Sequence, residues 1–325
     1  NILMMVVLST IIHSAIGIKQ VVLSNIIISV IDININPIPE GIFQQINVQA
    51  SYLSTGIVVA FYLIARPSYK YRKFYEKLIL LIAIFLGSFV ISNSGSRVGF
   101  LSLFMGLFVL WIAFKKEYLN NNRMTIMAFI LLLIAGYIGR AGLGDLFDKG
   151  HNMIYGGYAD LRMVIYSISL DIIKDKPLWG HGLGGFVNAW YEFSPKFYLS
   201  HPDVKQVPYI THPHNELVLW FIETGILGVA GILLFVWRVM ISLFNCGFKN
   251  GLGYFALLIP ISFHMQVELP FYISSLHWFL WLATSSASKN TLCKSTNIKS
   301  VFYSVYSSVY FTRSDFTLGR LSRCL

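Results

Sequence analysis

Two histidines flanking one proline, His212-Pro213-His214, run straight into Asn215-Glu216 and then into an apolar stretch from Leu217. Imidazole is the side chain that changes charge nearest neutral pH, so it can take or give a proton under ordinary conditions. A neutral imidazole at an aqueous boundary can act as general base towards an attacking hydroxyl. Thr211 or His212 suits a helix N-cap, Pro213 suits a first turn, and Glu216 complements the positive helix end. That reading puts His214 at a wet helix N-terminus, where the dipole favours the uncharged ring. Three roles fit these residue types: His214 as a base, both histidines as interfacial capping groups, or His212, His214 and Glu216 as metal ligands. The intervening proline and the want of a remote third ligand count against a metal. None is expected.

Arginines supply the second kind of chemistry. Arg97 follows Asn93-Ser94-Gly95-Ser96 at a tight turn, and Arg162 sits on the flank of a candidate helix. A guanidinium fork matches phosphate oxygens two at a time, so either could hold a diphosphate; either could equally snorkel or face solvent. Arg140 reads as an anchor. Glu223 lies two helical turns beyond Glu216, and a carboxylate inside a membrane is expensive enough to suggest a role or a partner. His264 and Glu268 are one turn apart and can pair, as bundle cement or as a site wall. Gln45 and Asn47, in Gln44-Gln45-Ile46-Asn47, carry amides that suit sugar hydroxyls or simple capping. Gly180-His181-Gly182-Leu183-Gly184-Gly185 has the spacing of a dinucleotide fingerprint, but no strand precedes it. It reads as a flexible loop.

These groups need elements to hold them. The chain is 55% hydrophobic and only 12% charged, with mean hydropathy +0.63, which excludes an ordinary soluble domain. The net charge of +10 gathers in short loops and the tail, with no aromatic-interleaved basic stripe, so nucleic acid is not an expected partner. Cys246, Cys293 and Cys324 are scattered and give no zinc pattern. A spanning helix needs about 20 apolar residues, and roughly eight candidates emerge. They are residues 2–28, 48–65, 78–92, 98–114, 124–138, 217–239, 252–267 and 271–284. Alternating them places the basic loops around Arg66–Lys77, Lys115–Arg123, Arg238–Lys249 and the tail lysines on one side, the cytoplasmic side by charge bias. The opposite side holds the long segment of residues 139–215, in which Asp160 to Lys176 has an amphipathic helical period and is expected to lie along the membrane surface. The fold expected is all-α: a polytopic membrane helix bundle over residues 1–284, followed by a poorly ordered cytoplasmic tail over 285–325.

On these residues the chain resembles the O-antigen ligase/polymerase superfamily, most closely the PglL-type protein O-oligosaccharyltransferases. The matching stretches are Phe43 to Ser51, Ser94-Gly95-Ser96-Arg97, Leu161-Arg162, Pro177 to Gly182, His212 to Glu216, Glu223-Thr224-Gly225 and His264 to Pro270. The resemblance implies an enzyme of the bacterial inner membrane, active on its periplasmic face. It would move a glycan from undecaprenyl diphosphate to a Ser/Thr hydroxyl of a pilin-like protein, without cofactor or metal. His214 would be catalytic, Arg97 and Arg162 would hold the diphosphate, and His212, Asn215, Glu216, Glu223, Gln45 and Asn47 would support them. A lipopolysaccharide O-antigen ligase acting on lipid A-core, an O-antigen polymerase and, outside enzymes, a membrane transporter are the alternatives. No internal repeat of the kind common in transporters is found. The family's N-terminal spans are missing and the sequence after Thr284 departs from its usual continuation, so a fragment is expected, active or inactive.

Overall fold

Small and hydroxyl-bearing residues fill the segment Ala50-Ser51-Tyr52-Leu53-Ser54-Thr55-Gly56, and they let neighbouring helices close in on it. In the computed structural model, which describes residues 2–31, 38–140, 158–207 and 210–287, this segment belongs to α2 (Ile46–Ala65), the most buried helix of the bundle. Every residue from Val48 to Ala65 is buried. The hydroxyls on α2 are satisfied locally, Ser54 donating to the Ala50 carbonyl at 2.8 Å and Thr55 to the Ser51 carbonyl at 2.9 Å. Ser54 also reaches the Gly99 carbonyl of α4 (Arg97–Asn120) at 2.9 Å. A methyl on Gly99 would sit 2.6 Å from Ala50 Cβ, so glycine sets how closely these helices approach.

Around α2 stand α1 (Ile2–Ile31), α3 (Phe74–Ser94), α4 and α9 (Phe248–His264), with α5 (Asn122–Ile138) packed on α3. Two helices of the long polar segment follow: α6 (Tyr158–Asp175) and α7 (Phe186–Ser200). Then come α8 (Glu216–Phe244), the short α10 (Pro270–Ile273) and α11 (Ser275–Ala287). All eight expected apolar segments are helical. Five helices are long and apolar enough to cross a membrane: α1 to α4 and α8. Helices α5 and α9 have 17 residues each, and the last segment is split at Ser274 into α10 and α11. The all-helical polytopic membrane bundle is borne out. The tail beyond residue 287 lies outside the described residues.

The expected amphipathic helix is present as α6. Its face of Val164, Ile165, Ile168 and Ile172 is buried against Phe186, Ala189 and Trp190 of α7 and Leu219 and Ile222 of α8. That apolar stripe is therefore covered by protein rather than laid on a membrane surface. The glycine run is held too. The backbone N–H groups of His181 and Gly182 donate to the carbonyls of Ile222 and Glu223 at 2.8 and 2.9 Å, and Ile226 donates to the Pro177 carbonyl at 2.8 Å. These bonds meet α8 where Gly225, at φ +67° and ψ −166°, breaks its helical ladder and frees backbone groups to bond outward. The run is a clamped turn, which corrects the flexible loop expected.

Candidate active site

Asn215, not Thr211 or His212, caps α8: its side chain accepts from the Val218 N–H at 3.1 Å. Pro213 and His214 therefore precede the helix, and Glu216 alone of the expected groups lies in its first turn. The segment is fastened to the turn after α9. The Asn215 side-chain amide donates to the Gln266 carbonyl at 2.9 Å, and the Glu216 N–H to the Met265 carbonyl at 3.0 Å. Between these anchors and the proline, His214 takes a left-handed backbone conformation, φ +53°. Such a conformation in a non-glycine residue costs of order 1–3 kcal/mol and persists only when neighbours impose it.

On the other wall, Ser96 caps α4, accepting from the Gly99 N–H at 3.1 Å. The same hydroxyl donates to the Asn47 side-chain oxygen at 2.8 Å, tying the first turn of α2 to the turn that carries Arg97. Gln45 precedes α2 as its cap residue, and its side-chain oxygen is buried with no hydrogen-bond partner among the described residues.

Between these walls opens a cavity of about 910 Å³. His214, Arg97, Arg162, Gln45 and Asn47 all line it, drawn from four separate parts of the chain. Glu40 adds a carboxylate. Ile46, Val98, Leu101, Leu161, Ile165, Phe263 and Val267 make the rest of the wall largely apolar. Two guanidinium groups suit an anion, the apolar wall suits a lipid chain, and the imidazole supplies a proton acceptor.

His212, Asn215, Glu216 and Glu223 do not line the cavity. The His212 ring packs edge-on against His214 at 4.4 Å, and its Nδ1 accepts the His214 backbone N–H at 3.2 Å. Burial and the neighbouring His214 hold the His212 pKa below its ordinary value. Glu216 is buried and turned away, with one carboxylate oxygen unpartnered among the described residues. Glu223 stands at the α8 break, where its backbone carbonyl receives Gly182. Neither glutamate is placed to orient His214.

The carboxylate that does approach His214 is Glu268, whose oxygen lies 3.5 Å from His214 Nδ1. The expected pairing of Glu268 with His264 gives way to a different arrangement. His264 Nδ1 shares a 2.7 Å hydrogen bond with the Ser51 hydroxyl, which also lies 3.1 Å from His277 Nε2. Burial would raise the Glu268 pKa, but its contact with His214 and the nearby rings of His264 and His212 together keep it below the usual carboxylate range. His212, His214 and Glu268 place one donor atom each within 4.8 Å of one another, so the remote third ligand missing from the sequence reading exists in space. A metal would need lone pairs from all three. As they stand, His212 Nδ1 already accepts a backbone N–H and His214 faces the carboxylate, an arrangement suited to sharing a proton.

Comparison with known proteins agrees with the resemblance read from the sequence. Residues 82–233 match the O-antigen ligase family, and residues 39–64 match a protein glycosylation ligase family. The first interval contains Arg97, Arg162 and His214; the second contains Gln45 and Asn47. A putative polysaccharide ligase of Rickettsia bellii is 28% identical over 184 residues, covering 55% of this chain and 42% of that protein. The chain thus spans less than half the length of that relative, and the likeness is to a glycan-transferring membrane ligase.

Proposed function

We propose that this chain, which carries an O-antigen ligase match across α3 to α8, is the catalytic part of a transferase that takes a glycan from undecaprenyl diphosphate. The acceptor is a Ser/Thr hydroxyl of a pilin-like protein outside the cytoplasm, with the cavity on the periplasmic face of the inner membrane. The observation that carries this reading is the shared cavity of His214, Arg97 and Arg162, bounded by apolar side chains. Arg97 and Arg162 hold the diphosphate and neutralise the charge it gains on leaving. Such electrostatic help is often the largest catalytic contribution. The acceptor oxygen bonds to the anomeric carbon as the carbon–oxygen bond to the diphosphate breaks. The diphosphate leaves with the electron pair, and the hydroxyl proton passes to His214, a role worth roughly 10²–10⁴ in rate. Asn47 and Gln45 offer amides to sugar hydroxyls at the cavity rim. The match to a protein glycosylation ligase at residues 39–64 favours a protein acceptor. The longer O-antigen ligase match keeps lipid A-core as the second reading.

The test is reconstitution in nanodiscs with an undecaprenyl-diphosphate-linked glycan, offering pilin and lipid A-core in separate reactions. Modified pilin, seen as a mass increment, is the expected product. His214→Ala should reduce transfer at least about 100-fold without loss of membrane insertion. Glycan on lipid A-core alone would move the assignment to a lipopolysaccharide ligase, and normal transfer by His214→Ala would remove the assigned base.

A further inference from the structure

We propose that Glu268, beyond both matched family intervals, is the positioning residue that fixes the ring orientation and tautomer of His214; this rests on the reading of His214 as base. His214 Nδ1 is buried, yet the side chain keeps 31% of its surface open. The open surface therefore lies on the rest of the side chain, and His214 lines the cavity. Glu268 approaches the closed edge, 3.5 Å from Nδ1, and its own side chain is only 11% exposed. At that distance the carboxylate faces Nδ1 at slightly more than the length of a formed hydrogen bond. Catalytic hydrogen bonds are often long without substrate and tighten when it binds.

A carboxylate has only acceptors to offer, so it holds the proton on Nδ1 and leaves the lone pair on Nε2. That is the tautomer a base needs if it is to receive a proton from an acceptor hydroxyl in the cavity. The same carboxylate stabilises the imidazolium formed when the proton arrives. The backbone shows that the two residues are held as a unit. Asn215 and Glu216, one and two residues after His214, bond to Gln266 and Met265, two and three residues before Glu268. His214 itself is in the left-handed conformation, φ +53°. The Glu268 N–H in turn donates to the His264 carbonyl at 3.0 Å, continuing the end of α9.

Glu268→Gln tests this directly, because it removes the charge that stabilises the imidazolium, and its amide nitrogen, where it faces Nδ1, moves the proton onto Nε2. With the undecaprenyl-diphosphate-linked glycan as donor, kcat should fall at least about 100-fold, by analogy with wrong-tautomer variants of catalytic triads. Donor KM should stay within about threefold. Glu268→Asp keeps the charge and should retain at least about tenfold more activity than Glu268→Gln. Should Glu268→Gln fail to insert, Glu268→Ala decides: lowered kcat at unchanged KM supports the assignment, and unchanged kcat overturns it. His214→Ala runs alongside. An inactive His214→Ala with a fully active Glu268→Gln removes Glu268 and leaves the base standing, whereas an active His214→Ala removes the base itself. Activity that is lost to a chelator and restored by zinc would overturn the proposal by making the carboxylate a ligand.

Discussion

At the scale of single residues, the junction before α8 is organised around imidazoles that the fold keeps uncharged or pairs with a carboxylate. His212 shows this most clearly, since burial and the adjacent His214 lower its pKa from 6.5. The unfolded chain then binds a proton more readily than the folded one, so stability from this group is complete above about pH 6.5. It is lost as pH falls below that value. Glu268 works in the same direction further down: its lowered pKa contributes stability above about 4.5, lost as acid protonates it. The part of the melting temperature that depends on His212 should therefore fall as pH drops from 7.5 to 5.5, in a range where Glu268 does not titrate. His212→Gln should reduce the slope over that range, by an amount worth about 1 kcal/mol per unit of pKa difference removed. Differential scanning fluorimetry at matched ionic strength would show it, and an unaltered slope would mean that His212 is not responsible.

At the scale of elements, what the sequence could show depended on how local the signal was. The eight apolar segments were legible as helices because runs of apolar residues are a local signal, although, among the described residues, five helices alone are long and apolar enough to cross a membrane. Helix α7 was not. Phe186, Ala189, Trp190 and Phe193 have helical spacing, but Pro195 inside the helix and the glycines before it read as breakers. Glu268 was misassigned for a related reason. Its one-turn spacing from His264 suggested a local pair, while its partner His214 is remote in sequence and comes near only when α8 and α9 pack. The same holds for Ser96 and Asn47, and for the capping role of Asn215. The α8 break is the element on which this packing depends. A methyl on Gly225 would lie 2.2 Å from the Leu178 carbonyl oxygen, and the backbone there is one that essentially only glycine adopts. Gly225→Ala should destabilise the fold by about 1–3 kcal/mol and release the 177–182 turn. Faster proteolysis within that turn, at unchanged cleavage elsewhere, is the expected readout.

At the scale of the whole molecule, helices α2, α4, α8 and α9 each run between two chemically opposite ends. Helix α2 begins beside Gln45 and Asn47 at the cavity and ends at Arg66; α4 begins with Arg97 and ends past Lys115 and Lys116. Helix α8 starts after His214 and carries Arg238 in its far part, and α9 runs the other way, from Lys249 to His264. The basic end is also structurally joined. Arg66 donates to the Asn250 side chain at 3.0 Å, Lys249 pairs with Glu117, and Arg72 with Glu76 at 3.2 Å. At 1.5 Å per residue, the 20 residues of α2 separate the two ends by about 30 Å, one hydrocarbon thickness. Cations prefer the cytoplasmic side, so the cavity should open to the periplasm. Single cysteines can test this in a background with Cys246, Cys293 and Cys324 replaced by serine. Tyr71 at the basic end is 89% exposed, and Leu199 at the end of α7 is 85% exposed. A membrane-impermeant maleimide should label Leu199→Cys in spheroplasts and Tyr71→Cys only after permeabilisation. The reverse pattern would put His214 and both arginines in the cytoplasm, where a transferase acting on exported proteins could not meet its acceptor.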